Sequence, residues 1–238
     1  MEAETTARRL VAEQFPEARA AWLGGSVVLG GATPTSDLDV TVVLGEAVVH
    51  RESLTYSGWP VELFVHTEDS VRHFVAKDLA RRRPTMARLV GEGVVLVDAD
   101  GLGASLAQEC RAVLAAGPAA TTPAALDLQR YALTDLLDDL AGGADPAVLG
   151  ATAVATWQAV AELRLATGGR WSGSGKWLAR ELAAYDLDAG TAYAVRLHEA
   201  LVAAVSGATA GLVALADEVL APVGGRLWSG FRADAVLG

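Results

Sequence analysis

The first part of the chain alternates short apolar runs with turn-forming residues, whereas the last part repeats apolar residues at helical spacing. Residues 2–14 predict a helix with Leu10 and Val11 on its apolar side. Short β-type runs follow, separated by Gly, Pro and Ser, and a charged helix over 68–83 stops at Pro84. The predicted strands are 20–23, 38–44, a stretch near 48–56, 61–65 and 94–97.

Beyond residue 101 the pattern is rich in Ala and Leu and carries almost no strand signal. Gly117-Pro118 through Pro123 is the clearest break and predicts a linker. We therefore expect an α+β protein with a strand-containing domain over 1–117 and a helical bundle domain over 118–238. The predicted bundle helices are 123–141, 146–167, 175–184, 189–206 and 208–221. Earlier in the chain, residues 57–60 predict a hairpin connection between two strands.

Composition narrows the class of protein. With 238 residues, 52% of them apolar, the chain can bury a substantial core, which excludes wholesale disorder. A net charge of −10 argues against a protein that binds nucleic acid by neutralising phosphates. The single cysteine, Cys110, excludes a disulfide framework and is typical of a reducing compartment. The charged N-terminus and the lack of a long apolar run predict a cytoplasmic protein with no membrane partner.

Two aspartates stand two residues apart at the start of the second predicted strand. Strand alternation places Asp37 and Asp39 on one face and Leu38, Val40 and Val42 on the other. The carboxylates then project together, about 6–7 Å apart at the backbone. Because like charges this close repel, a cation between them is expected. Mg²⁺ prefers oxygen ligands and leaves positions open for substrate phosphates, so the pair predicts a magnesium site.

Two further features belong to the same candidate site. Gly24-Gly25-Ser26 leaves a strand and is predicted to enter a short helix, whose N-terminal amides and serine hydroxyl suit a phosphate. Glu62 is the one acid in the apolar run 60–66, where burial is costly unless the carboxylate meets a metal or a donor. If its strand lies beside that of the aspartates, Glu62 completes a three-carboxylate site.

The order Gly25-Ser26, ten residues, then Asp37-x-Asp39 resembles the signature of the DNA polymerase β-like nucleotidyltransferase superfamily. The resemblance covers roughly residues 18–98 and implies a small mixed sheet with flanking helices. It also implies that the paired aspartates hold Mg²⁺ and a nucleoside triphosphate, and that the Gly-Ser turn contacts phosphate. The third carboxylate, on a neighbouring strand, is then a metal ligand or a general base.

The helical half is similar in architecture to bacterial antibiotic nucleotidyltransferases of the aminoglycoside and lincosamide type, with residues 173–180 as its most distinctive segment. Lys176 is a candidate phosphate contact, and Trp171 is a candidate for stacking on a base or sugar. Asp135 and Asp139 lie on the polar face of the first bundle helix, where they suit a cationic acceptor. Core packing for the tryptophan and solvated positions for the charged residues are the alternatives. We expect this domain to complete the acceptor cleft.

Together these features predict an enzyme that transfers a nucleoside monophosphate, AMP from ATP in the first instance, to a hydroxyl of a small cationic acceptor such as an aminoglycoside-like antibiotic. Two Mg²⁺ ions and ATP or another nucleoside triphosphate are expected. Two alternatives stay open: a protein-modifying, AMPylating enzyme of antitoxin type, and a nucleotide-binding protein of the same fold without turnover. We expect no nucleic-acid partner, and a monomer or homodimer.

Overall fold

The strand-rich and helix-rich parts of the sequence form different architectures. The computed structural model describes residues 2–46, 48–143 and 145–233. The chain divides into two units, Met1–Gly117 and Pro118–Gly238. The first unit contains a five-stranded sheet with flanking helices, and the second is helical. The predicted α+β class, with a mixed sheet followed by a helical region, is confirmed.

A single mixed sheet organises the described part of the first unit, with strand order β3-β4-β2-β1-β5. Strands β2 and β4 pair in parallel, and the other neighbouring strands pair antiparallel. The strands are β1 Ala20–Gly24, β2 Leu38–Val43, β3 His50–Tyr56, β4 Trp59–His66 and β5 Val94–Asp98. The helices of this unit are α1 Glu2–Gln14, α2 Glu68–Ala80, α3 Thr85–Gly91 and α4 Leu102–Ala116.

Strand alternation gives the sheet two different faces. Leu38, Val40 and Val42 of β2 pack with Leu10 and Val11 of α1 and form an apolar cluster on one face of the sheet. The opposite face packs against the other three helices through a second cluster of buried side chains, which includes Trp22, Val43, Val71, Val90 and Leu106. Since Asp39 alternates with Leu38 and Val40, its side chain belongs to this second face.

The hairpin between β3 and β4 is tighter than the sequence analysis predicts. Its loop consists of Ser57 and Gly58 alone, with φ values of 49° and 83°, and Tyr56 pairs directly with Trp59. Two consecutive residues with positive φ are typical of a type I′ turn, whose twist matches that of the flanking strands. The predicted connection over 57–60 was therefore two residues too long, because β4 already begins at Trp59.

The charged segment after β4 forms a helix that is shorter than predicted, and a second helix follows it. Thr67 begins α2 with a capping box, in which its side chain accepts a hydrogen bond from the Ser70 amide. The helix ends at Ala80, three residues before the predicted end, and Arg82 then adopts a positive φ of 56°. The seven-residue helix α3 follows directly after Pro84. The sequence analysis missed it.

The second unit is a set of helices packed around an aliphatic core. Its helices are α5 Pro123–Ala141, α6 Pro146–Thr167, α7 Lys176–Ala189, α8 Tyr193–Val205 and α9 Ala210–Leu220. Thr122 and Asp145 cap the first two of them, and a proline follows each cap at the first helical position. Leu133, Leu137 and Leu163 are among the fully buried side chains. No helix in the described ranges is long and apolar enough to cross a membrane.

Candidate active site

Three carboxylates converge at the end of the sheet where β1 ends and β2 and β4 begin. One oxygen atom from each of Asp37, Asp39 and Glu62 lies within 4.8 Å of the other two, and all three residues are half-buried. Asp37 immediately precedes β2, and Asp39 is its second residue. The structure thus brings together the three acids that the sequence analysis grouped.

The strand register explains how residues 23 positions apart in the chain become neighbours. Asp39 of β2 is the direct partner of Glu62 in the parallel pair, and of Gly24 in the antiparallel pair with β1. Val61 and Leu63, on either side of the glutamate, face the α1 side of the sheet. The same alternation that buries these two residues therefore turns Glu62 towards the aspartates.

Gly25 makes room for one of the carboxylates. A Cβ atom added at this glycine would lie 1.9 Å from Asp39 Oδ2, and the residue has a φ of +73°. Any other residue here would collide with the carboxylate and adopt a conformation that L side chains rarely take. The glycine that the sequence analysis assigned to phosphate contact has a steric role that the structure shows directly.

The loop after Gly25 differs from the prediction. Residues 26–30 form turns, with the Val28 and Leu29 amides both donating to the Gly25 carbonyl, so the expected short helix is wrong. Ser26 is only 4% exposed, and its hydroxyl donates to Ser36 Oγ at 3.1 Å. This bond ties the start of the loop to the residue before Asp37. The phosphate contact of Ser26 stays a prediction.

Arg51 is a member of this neighbourhood that the sequence analysis missed. Its guanidinium donates to Glu62 Oε1, and it lies over the Phe64 ring with 5.4 Å between Cζ and the ring centroid. The length of the hairpin loop between β3 and β4 is the feature of the sequence that could have revealed this contact. A two-residue loop pairs Arg51 with Phe64, and hence places it diagonally across from Glu62 on the same face. The longer predicted loop shifts the register and separates the two residues.

The remaining candidates lie in the second unit. Lys176 is exposed at the first position of α7, and Asp135 and Asp139 are exposed on α5. Within the described part of the chain these two aspartates form no ion pair, whereas Asp138 beside them pairs with Arg226. Trp171 is buried, with 8% of its surface exposed. The phosphate and acceptor roles of these residues stay predictions.

The three carboxylates of the first unit fit a hard divalent cation. They offer oxygen ligands only, as Mg²⁺ prefers, and the absence of a side chain at Gly25 gives the Asp39 carboxylate the space that it occupies. Side chains on strands are held more precisely than side chains on loops, and two of these acids are on neighbouring strands. Such a site can bind a metal together with the phosphates of a substrate.

Residues 5–80 match the family model of the nucleotidyltransferase domain. The match contains strands β1 to β4 and all three carboxylates, and it supports nucleotidyl transfer as the general chemistry of the first unit. The chain is similar to a solved structure of a nucleotidyltransferase-like protein from Exiguobacterium sibiricum. The alignment covers 91% of this chain and 75% of that protein's chain, with 13% sequence identity and a TM-score of 0.46. No curated protein matches the chain in sequence.

Proposed function

We propose that the protein is a Mg²⁺-dependent nucleotidyltransferase that transfers a nucleoside monophosphate, AMP from ATP in the first instance, to a hydroxyl group of a small acceptor. The observation that carries this proposal is the convergence of Asp37, Asp39 and Glu62, with oxygens within 4.8 Å of one another. The family match over residues 5–80 supports the reaction class.

In this reaction the acceptor oxygen attacks the α-phosphorus, the bond between the α- and β-phosphates breaks, and pyrophosphate leaves. Asp37 and Asp39, at the start of β2, would hold the cations. Bound Mg²⁺ would stabilise the charge of the triphosphate and lower the pKa of the acceptor hydroxyl. Glu62 either accepts the proton of that hydroxyl or completes the metal ligands. Because the residues mainly position and neutralise, precise placement matters more than any one proton transfer.

Phosphate binding is assigned to three residues. The Gly25 amide and the Ser26 hydroxyl belong to the turn beside Asp39, and Ser26 would exchange its bond to Ser36 for one to a phosphate oxygen. Lys176 supplies a positive charge for the leaving pyrophosphate, since a cation at a helix N-terminus gains nothing from the helix dipole. Lys176→Gln should therefore raise the KM for the triphosphate, while Lys77→Gln, at the other lysine of the chain, should not.

We propose further that the second unit selects the acceptor and favours a cation. Between residues 118 and 222 there are 12 acidic and six basic residues. Several of these acids are neutralised by arginines, as in the pairs Asp127–Arg130 and Arg196–Glu218. Asp135 and Asp139, one helical turn apart on α5, are exposed without such a pair among the described residues, and so they offer charge to a ligand. An aminoglycoside-like or lincosamide-like compound fits this chemistry.

The decisive experiment measures transfer of radioactivity from α-labelled nucleoside triphosphates to a panel of aminoglycosides and lincosamides. We expect a labelled small molecule and pyrophosphate with Mg²⁺, and neither product from the Asp37→Asn variant. The acceptor KM should rise between low and physiological ionic strength, because exposed ion pairs are screened by salt. A KM indifferent to salt, or labelling of a protein in preference to every small molecule, would contradict the cationic acceptor. If the wild-type protein transfers no label to any acceptor, the proposed enzymatic function is wrong.

A further inference from the structure

The Glu62 carboxylate already has a cationic partner in the folded protein. Arg51, on the edge strand β3, donates from Nη2 to Glu62 Oε1, and its Cζ lies 5.4 Å from the centroid of the Phe64 ring. Glu62 is also one of the three acids whose oxygens lie within 4.8 Å of one another. The same carboxylate thus faces an arginine on one side and two carboxylates on the other.

The two partners of this ion pair differ in exposure. The Arg51 side chain is 61% exposed, whereas that of Glu62 is 22% exposed. An exposed guanidinium can exchange a carboxylate for water at little cost, because surface ion pairs contribute only about 0–1 kcal/mol. Glu62 lies between β2 and β3 on a strand paired on both sides, so its position is fixed by the sheet. If the pair opens, the arginine is the partner that moves.

A divalent metal at the carboxylates and the Arg51 guanidinium carry charge of the same sign. Arginine stays protonated at any pH at which the protein functions, so it cannot relieve the repulsion by losing a proton. Metal binding must therefore either proceed against this positive charge or displace it. A nucleoside triphosphate changes the balance, since its negative charges offer the displaced guanidinium a new partner.

We propose that Arg51 is an exchangeable counter-cation of the carboxylate site, which pairs with Glu62 in the metal-free protein and leaves that carboxylate when metal and triphosphate bind together. The inference rests on the proposed function, because it takes the three acids as metal ligands. It makes Arg51 a positioning residue that weakens binding of metal alone and couples metal binding to the arrival of the nucleotide.

The opposite role predicts the opposite sign. If Arg51 held the glutamate rigid so that its second oxygen could bind metal, the removal of Arg51 would weaken metal binding. If the arginine competes with the metal, its removal strengthens binding. Metal affinity measured without nucleotide therefore separates the two roles without reference to turnover.

The test is a titration of the full-length protein with Mn²⁺ in the absence of nucleotide. The concentration of free Mn²⁺ is measured by electron paramagnetic resonance. We expect Arg51→Gln to bind Mn²⁺ about tenfold more tightly than wild type, as a single charge several ångströms from a divalent ion implies in a water-exposed setting. Arg51→Lys should fall between the two. With a non-hydrolysable triphosphate present, the difference should shrink, and added salt should shrink it as well.

Arg72→Gln is the matched control, because Arg72 is an exposed arginine of the same unit that pairs with Glu68 and Glu109. It should leave Mn²⁺ affinity unchanged, and circular dichroism should show every variant folded. The inference is overturned if Arg51→Gln binds Mn²⁺ no more tightly than wild type does. The metal site itself still stands in that case, provided that Asp39→Asn no longer binds Mn²⁺. Mn²⁺ binding that is absent from both wild type and Arg51→Gln, or unaffected by Asp39→Asn, would overturn the metal site as well.

Discussion

The two units use acidic residues in opposite ways. In the first unit one oxygen from each of Asp37, Asp39 and Glu62 lies within 4.8 Å of the other two, and negative charges this close repel one another. In the second unit the buried Asp186 faces donors: it accepts hydrogen bonds from the Tyr193 and Ala194 amides at the start of α8. An acid surrounded by donors is explained by the fold alone. The clustered acids of the first unit are explained by the proposed metal site, and this contrast can be tested by removing each kind of acid.

The largest effect is expected at the aspartates of the first unit. Asp37→Asn or Asp39→Asn should lower kcat/KM by about a thousandfold, since a metal ligand supplies several kcal/mol of transition-state stabilisation. Asp37→Asn should also leave the thermal midpoint at or above that of wild type, because it removes one repelling charge. Transfer assays and thermal unfolding measure the two effects.

The control for this pair is Glu52→Gln. Glu52 is an exposed acid of the same sheet, in register with the core residue Leu63 and therefore on the face away from the site. It should keep full activity. Near-normal turnover in either aspartate variant would show that the cluster of the first unit is not catalytic. The acids of the two units would then differ in their surroundings but not in function.

A smaller loss is expected when the space around a carboxylate is filled. Gly25→Ala should lower activity by about a hundredfold, since its Cβ would displace Asp39 Oδ2, and misplacement of about 1 Å is expected to cost that much. It should also cost about 1–2 kcal/mol for a side chain at positive φ.

Gly58→Ala separates these two contributions. Gly58 has a φ of +83° and open space around its missing Cβ, so its substitution adds the backbone cost without any collision. Denaturant titrations should show similar destabilisation of both variants, while only Gly25→Ala loses activity. A parallel loss of activity in Gly58→Ala would indicate that strain, not the contact with the carboxylate, is responsible.

In the second unit the removal of an acid should destabilise the fold. Asp186→Ala leaves the Tyr193 and Ala194 amides and the Thr191 hydroxyl without their acceptor, which should cost about 2–3 kcal/mol. Asp188 lies on the same helix as Asp186 and is an exposed partner of Arg170. Asp188→Ala should therefore cost less than about 1 kcal/mol. Equal costs in urea unfolding would remove the distinction between the two aspartates.

The smallest effect concerns an exposed acid that is paired. Hydrogen bonds from Arg196 and then Tyr193 lower the pKa of Glu218 from 4.5 to about 2. A lowered folded-state pKa stabilises the protein above pH 4.5, and this stabilisation is lost as the pH falls towards 2. Because the side chain is 42% exposed, Glu218→Gln should cost only about 0.5–1 kcal/mol at neutral pH.

The pH dependence is the check on that pair. The difference in free energy of unfolding between wild type and Glu218→Gln should narrow between pH 5 and pH 3. Glu199→Gln, which makes the same change at an exposed position of α8, should show no such narrowing. A difference that stays constant over this range would mean that the pairing contributes nothing to stability.

Strong periodicity made much of the fold predictable. The predicted helix over 2–14 and the strands at 20–23 and 61–65 lie within one or two residues of their observed positions, because each buries a regular apolar face. The helix Thr85–Gly91 was missed, since seven residues give too few turns for a periodic signal. The loop after Gly25 was mistaken for a helix because a strand followed by Gly-Ser precedes turns as well as helices.

The grouping of the acids could also be predicted, but their surroundings could not. The D-x-D spacing fixes two side chains on one face by strand geometry alone. The neighbouring position of Glu62 depends on the pairing of β2 with β4, which the sequence analysis stated only as a condition. Arg51 depends on the hairpin register, which a positive φ at Ser57 decides. Serine carries a weaker signal for that conformation than glycine or asparagine does, so the contact became visible only in the structure.

The parallel pairing of β2 with β4 has a consequence for the quality of the protein a cell makes. A slip of β4 by one residue would turn Glu62 into the apolar layer beneath α1 and bring Val61 or Leu63 to the face of the aspartates. Such a chain would bury a charge and expose apolar surface, which destabilises it and makes it a substrate for proteases that remove unfolded chains. The register that moves Glu62 away from the aspartates is therefore also the register that destabilises the fold. Hydrophobic alternation along β4 thus favours chains in which the three carboxylates lie together.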